Sequence, residues 1–351
     1  MGAGVAEVES KLWEDVEEGE KLPTLEYPIT TKVLIMAVTG TRDFMPYHHD
    51  DASVEPLGIR AMFVNTMFNQ ASYGKFVTDW SGPDSDFRGT NLQMVAQLVP
   101  GDSSTTNGVV VKKYRDGDDY LVDIECQTEN QDQTASRSGA TLAMPSREGG
   151  AVKVIGEMDK PTMELDPNIP DEAKEWLGKE SPKSAGAYEI SKSQIQYWCD
   201  MVEDGNPLYG DTEYARNSRH NGLIAPPMSL ITWTMGRPGW SADYNEPSRE
   251  PWPRREPSTI IAGFTPPGST DTIASNSVQT YGVPLRPGDR LSSTSELVNC
   301  TPLKRTRLGL GYFMTNLSTY YNQKDEIVGT NLFTLLRYGV PESEAHRLIK
   351  K

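Results

Sequence analysis

The chain repeats itself, and that restricts its possible folds more than any single motif does. An apolar stretch running into a polar loop occurs twice, as TKVLIMAVTGTRDFMPYHHD and as SKSQIQYWCDMVEDGNPLYGD. The pairing sets Asp204 and Tyr209 where the first half has Asp43 and His48. A helix-length apolar run follows in each half, AMFVNTMFNQASYGKFV and LIAPPMSLITWTMG. Each half then has a Pro-Gly-Asp turn, at Leu98–Asp102 and within Leu285–Leu291, and strand-like runs that reach Asn130–Gln131 and Asn322–Gln323. Landmarks shared in one order mark a duplication. The second copy is longer, with 118 positions from Asp204 to Asn322 against 87 from Asp43 to Asn130. Most of the excess lies around Gly239–Thr259, whose proline and charge content reads as a loop.

Within one copy the elements are legible. GVVVKKY and YLVDIECQT flank RDGDD, the pattern of a hairpin closed by an Asp-Gly turn. The run from Met62 to about Val77 has the length of one central helix. One long helix followed by antiparallel strands buries both apolar faces when the sheet wraps around the helix. That is an α+β hot-dog unit, and two copies make a double hot-dog. The expected division is a first unit at 12–146, a linker at 147–184 and a second unit at 185–340. The linker is rich in proline, glycine and charge, with a short helix at DEAKEWLGKE.

Composition narrows the function. A formal net charge of −15 argues against nucleic acid or an anionic membrane as the main partner. No apolar window reaches the length of a membrane span. The acidic start, MGAGVAEVESKLWEDVEEGE, lacks the apolar centre of a signal peptide and has Glu7 where myristoylation needs Ser or Thr. The three cysteines, Cys126, Cys199 and Cys300, form no CxxC pair and read as free thiols in a reducing cytoplasm.

Histidines and carboxylates gather at Asp43, His48, His49, Asp50 and Asp51, a stretch that holds two of the four histidines. A metal site, an acid–base pair and a solvated loop are all compatible with it. Metal is the weakest reading, because no second histidine cluster completes a ligand set. His49 reads as structural, Asp50 and Asp51 as capping or charge-complementing a following turn, and His220 and His346 as loop and tail residues.

These residues carry a resemblance. Asp43-x4-His48 ahead of an apolar helix is similar to the acid–base motif of MaoC-like (R)-specific enoyl-CoA hydratases, with Arg42 and Phe44–Tyr47 replacing the usual neighbours. DGNPLYGDTEYA keeps the opposite part of that motif but has Tyr209 for its histidine. RDFMPYHHD, FVN at Phe63–Asn65 and FVTDWSGP at Phe76–Pro83 resemble the catalytic subunit of bacterial steroid side-chain enoyl-CoA hydratases. Those enzymes pair it with a partner whose hot-dog lacks the histidine. This chain looks like the two fused, catalytic one first, with the resemblance running from about Leu12 to Gly339.

The resemblance implies hydration of a bulky, steroid side-chain 2-enoyl-CoA. Asp43 and His48 would act on water, and the backbone N–H of Asn65 would replace the family's glycine amide at the thioester oxygen. It implies no metal and no separate cofactor, coenzyme A being part of the substrate. Partners would be the acyl-CoA and water, with no nucleic acid or membrane, in a homodimer. The family's aldolase partner docks through a separate domain that has no counterpart in this sequence, which leaves that association open. Tyr209, with an ordinary pKa near 10, is a poor base at neutral pH, so the second copy reads as structural. The insertion at 239–257 would line the acyl space, lid it, or lie on the surface. Two other classes stay open: a non-catalytic acyl-CoA or lipid-binding scaffold, and a hot-dog thioesterase.

Overall fold

A computed structural model describes residues 9–238 and 264–348. The insertion at 239–257 lies outside the described residues. The chain divides into two compact units that interleave in sequence. The first holds residues 9–156 together with Ile190–Thr232 and Pro284–Asp289, and the second holds Glu157–Glu189 and most of the chain beyond residue 232. Packing therefore draws the helical segment of the second repeat into the same unit as the first repeat.

In the first unit, β1 (Leu25–Pro28) leads into α1 (Thr31–Thr41) and α2 (Thr66–Ser81). The strands β2 (Asp86–Met94), β3 (Ser103–Asp116), β4 (Asp119–Glu129) and β5 (Thr134–Ala143) then form an antiparallel sheet in the order β1-β3-β4-β5-β2. The expected hairpin is β3–β4, closed at Asp116↔Asp119 with Gly117 at φ 55°. Register shifts at Phe87/Gly89 and Val110/Lys112 increase local twist, which helps the sheet curl.

The central helix is α2, displaced toward the C-terminus from the expected span of 62–77. Its start is set by Asn65, whose Oδ1 accepts from the N–H of Phe68 at 2.8 Å. Its end is set by Gly82 at φ 83° followed by Pro83. No side chain fits at Gly82, where a Cβ would lie 2.5 Å from Ser10 Cα. Thirteen of the sixteen residues of α2 are buried, so the helix is enclosed on nearly every side. Its polar members are paired inward: Ser72 Oγ lies 2.7 Å from Tyr27 Oη, and Tyr73 Oη 2.9 Å from Ser136 Oγ.

From the second repeat come α3 (Lys192–Asp200), α4 (Pro207–Gly210) and α5 (Thr212–Asn217), all within the first unit. The first packs on α1 so closely that a Cβ on Gly40 would sit 2.6 Å from the carbonyl oxygen of Tyr197. Gln194 Nε2 donates to the Gly40 carbonyl at 2.8 Å.

The second unit is an antiparallel sheet of β6 (Ser184–Ala185), β7 (Asp271–Tyr281), β8 (Ser292–Cys300), β9 (Lys304–Thr306), β10 (Gly309–Tyr321) and β11 (Ile327–Val340). The order is β7-β11-β10-β8-β6, with β9 also on β10. Leu297, Cys300, Leu310 and Met314 centre its core, joined by Ala173 from a single helical turn, Asp171–Lys174. That turn is all that forms of the expected DEAKEWLGKE helix.

The duplication is written in hydrogen bonds. Ile29 N–H donates to the Asp102 carbonyl, and Ile190 N–H to the Asp289 carbonyl, both at 2.8 Å. Thr30 and Ser191 cap the helices that follow. Val64 N–H reaches the Leu98 carbonyl at 3.1 Å, and Ala225 N–H the Leu285 carbonyl at 2.9 Å. Asp102 accepts from Val99 N–H, and Asp289 from Arg286 N–H. Ser103 N–H donates to Gln131 Oε1, and Arg290 N–H to Gln323 Oε1. From Ile29/Ile190 to Val64/Ala225 every matched pair is 161 positions apart, so each residue of the first loop has a defined counterpart in the second.

Candidate active site

Arg42 takes a left-handed conformation, φ 60°, and turns the chain off the end of α1. The next residue is Asp43, whose Oδ1 accepts from the N–H of Met45 at 3.3 Å. Pro46 then starts a single 3-10 turn, Pro46–His48, that carries the histidine inward. His48 is 9% exposed, and its ring meets that of Phe63 edge-on at 5.1 Å.

His48 Nδ1 lies 2.8 Å from the carbonyl oxygen of Phe63. A carbonyl can only accept, so Nδ1 carries a hydrogen, and in the neutral ring Nε2 keeps the lone pair. That Nε2 faces Asp43 Oδ2 at 3.4 Å, with side-chain exposures of 11% and 20%. The separation is longer than a strong N–H···O bond. A basic nitrogen and a carboxylate thus share one partly open point, an arrangement that can hold and deprotonate a water.

Asn65 lies two residues past Phe63 and is 1% exposed. Its Nδ2 donates to Thr41 Oγ1 at 2.7 Å, and the N–H of Asp43 donates to the same oxygen at 3.3 Å. The N–H groups of Asn65 and Thr66 have no acceptor among the described residues. They stand at the positive end of the α2 dipole, where developing negative charge is stabilised. The structure thus brings Asp43, His48 and Asn65 together. The sequence reading missed Thr41 and the Phe63 carbonyl. Thr41 carried a weak signal, a hydroxyl at the helix end two residues before the aspartate; the carbonyl carried none.

The neighbouring histidine and aspartates serve the loop. His49 Nε2 lies 3.2 Å from the Phe44 carbonyl, Asp50 caps the turn from Asp51, and Asp51 accepts from Met62 N–H. His220 lies in a turn, as the sequence suggests, but is 2% exposed, with neither ring nitrogen hydrogen-bonded. Burial, with the Arg219 and Arg286 cations nearby, lowers its pKa to about 3. It is therefore neutral at physiological pH.

At the matching point of the second repeat, Asp204 Oδ1 accepts from Asn206 N–H at 3.0 Å, and Tyr209 is buried. Burial raises the Asp204 pKa to about 6 and pushes the Tyr209 phenol well above its ordinary value. Pro226 and Pro227 occupy the positions of Asn65 and Thr66. Neither has an N–H, so this repeat has lost its amide donors along with its histidine.

Comparisons with known proteins show what the chain is similar to. The family described as FAS1-like, dehydratase domain region, matches residues 175–331. A Thermomonospora curvata protein named probable enoyl-CoA hydratase alpha subunit is 31% identical over 170 residues, 48% of this chain and 51% of that one. The 3-oxo-4,17-pregnadiene-20-carboxyl-CoA hydratase alpha subunit of Mycobacterium tuberculosis is 31% identical over 157 residues, 44% and 47% of the two chains. The chain thus spans about half the length of these curated relatives. A solved MaoC domain protein dehydratase from Chloroflexus aurantiacus superposes with a TM-score of 0.66 over 96% of this chain and 99% of its own, at 11% identity. An M. tuberculosis protein described as a double hotdog fold gives 0.61 over 94% and 99%, at 12% identity.

Proposed function

From its similarity to enoyl-CoA hydratase subunits and its double hot-dog fold, we propose that this chain is a MaoC-like enoyl-CoA hydratase, adding water across the 2,3 double bond of an acyl-CoA. The observation that carries the reading is the locked histidine. With Nδ1–H held by the Phe63 carbonyl, Nε2 is a free base opposite Asp43. Nε2 takes a proton from water as its oxygen bonds to C3, and the Asp43 carboxylate orients that water. The dyad returns a proton to C2, so H and OH are added in balance. The enolate oxygen formed meanwhile accepts from the amides of Asn65 and Thr66. No metal or separate cofactor enters this scheme.

We further propose a bulky acyl group, a steroid side-chain 2-enoyl-CoA, on the strength of the M. tuberculosis relative's name and of a second repeat freed from catalysis. The catalytic repeat is proposed as 12–146 and the degenerate repeat as 185–340, joined by 147–184, in a cytoplasmic homodimer. The test is hydration of crotonyl-CoA and of a C22 steroid 2-enoyl-CoA by wild type, Asp43→Asn and His48→Ala. Turnover of the steroid thioester abolished by both substitutions supports the whole reading. Turnover of crotonyl-CoA alone keeps the hydratase and removes the steroid. Tight thioester binding without turnover replaces both with a scaffold.

A further inference from the structure

Thr41 is fully buried and its hydroxyl is fully used. It donates its hydrogen to the Ala37 carbonyl at 2.6 Å, and its oxygen accepts from Asn65 Nδ2 and from Asp43 N–H. One hydroxyl has one hydrogen and two lone pairs, so nothing remains unpaired. The Asn65 amide is committed at both ends as well, with Oδ1 on Phe68 N–H and Nδ2 on Thr41. An aspartate cap would accept from Phe68 but would have no hydrogen to give Thr41. The last turn of α1, the backbone at Asp43 and the first turn of α2 therefore meet on a single oxygen.

The second repeat is an internal comparison. At the fixed spacing of 161, Val202 stands where Thr41 does and Pro226 where Asn65 does. Neither can make the bond. Asp204 survives there, still hydrogen-bonded to its own loop, so retention of the aspartate does not separate the two repeats. What was lost together is the histidine and both members of the Thr–Asn pair.

We propose that Thr41 and Asn65 are a positioning pair that holds the Asp43 carboxylate in one frame with the amide end of α2, an inference that rests on the hydratase reading. The acid–base pair acts at C2 and C3 while the amides act on the thioester oxygen, so the two must be set relative to each other. A misplacement of about 1 Å can cost roughly a hundredfold in rate.

The experiment uses the full chain and whichever 2-enoyl-CoA wild type hydrates. Thr41→Val keeps the shape and removes the hydroxyl; Thr41→Ser keeps the hydroxyl. The expectation is a fall in kcat of about 10- to 100-fold for Thr41→Val with KM changed less than about threefold, and recovery in Thr41→Ser. On an Asp43→Asn background the same Thr41→Val change costs less than about threefold, because the group it positions is gone. Thr78→Val removes another buried hydroxyl of the same unit, one that donates to the Gly74 carbonyl, and leaves kcat unchanged. Wild-type kcat in Thr41→Val, an equal loss in Thr78→Val, or a loss that multiplies fully onto Asp43→Asn overturns the pair. If wild type hydrates no enoyl-CoA, the functional reading falls by itself. The pair is then judged by hydrogen exchange at the Asp43 amide. Exchange at least about tenfold faster in Thr41→Val and restored in Thr41→Ser supports it, and unchanged exchange overturns it.

Discussion

The carbonyl oxygen of Phe63 sits 2.8 Å from His48 Nδ1, and that contact decides which nitrogen of the ring is basic. It also ties the histidine to the segment that enters α2, two residues before Asn65. The site is therefore a closed set of constraints: His48 to Phe63, Asn65 to Thr41, Thr41 to Asp43. Two links are short and the third, from Asp43 N–H, is 3.3 Å; all are buried or half-buried, which is how a base and an amide pair stay aligned without a bound ligand.

The dyad makes the first prediction. His48→Ala removes the base, and Asp43→Asn keeps shape while removing charge. Each should lower kcat/KM by about 10²–10⁴, and the double substitution should cost far less than the product of the two. Steady-state kinetics on the thioester that wild type turns over measures this. Full multiplication would mean that the two side chains do not act on the same water.

Restoring the histidine to the second repeat should not restore catalysis. Tyr209→His recreates an Asp-x4-His sequence, but Pro226 and Pro227 still offer no N–H to an enolate. In a His48→Ala background, Tyr209→His is expected to leave turnover at the His48→Ala level. Recovered turnover would show that the amide donors are dispensable.

Much of this fold was legible, and the limits are physical. The order of repeated landmarks gave the two sheets and the loop ahead of the central helix, because turns such as Pro-Gly-Asp need particular residues wherever they fall. The helix start was misplaced because apolar content was followed past Asn65, although a capping side chain fixes the boundary more sharply than hydrophobicity does. The Asp43–His48 pair was legible from spacing and resemblance. Thr41 was not, because its role depends on a contact with Asn65, 24 positions away, that no local pattern reports. The burial of His220 was not legible for the same reason: the loop position was, but only the packing around it buries the ring.

His220 should make the protein sensitive to acid. Its pKa falls from 6.5 to about 3 on folding, so between those values the unfolded chain binds the proton and the folded one does not. Stability from this group is full above pH 6.5 and declines as pH drops toward 3, by about 3 kcal/mol at pH 4. The first repeat has Ile59 at the matching position. His220→Ile should flatten the melting temperature between pH 6.5 and 4, and should also raise it at pH 7, because two unpaired ring nitrogens are removed. An unchanged pH slope in His220→Ile would place the acid sensitivity elsewhere.

Asp204 should act in the opposite direction. Burial dominates its environment and raises its pKa from 3.8 to about 6, against the opposing hydrogen bond from Asn206 N–H. Across that window the folded state holds a proton that the unfolded state has released, so stability falls as pH rises from about 4 to 6 and stays lower above it. Asp204→Asn keeps an oxygen for Asn206 N–H and removes the charge. The full shift would be worth about 3 kcal/mol, and solvent reaching this half-buried carboxyl reduces the expected gain to about 1–2 kcal/mol at pH 8. At pH 4, where the carboxyl is already protonated in the fold, the substitution should be close to neutral. Denaturant unfolding at the two pH values measures the difference, and because Asp204 belongs to the repeat without a histidine, hydration should continue unchanged in the variant. A variant that loses activity while gaining stability would return Asp204 to the chemistry of the site.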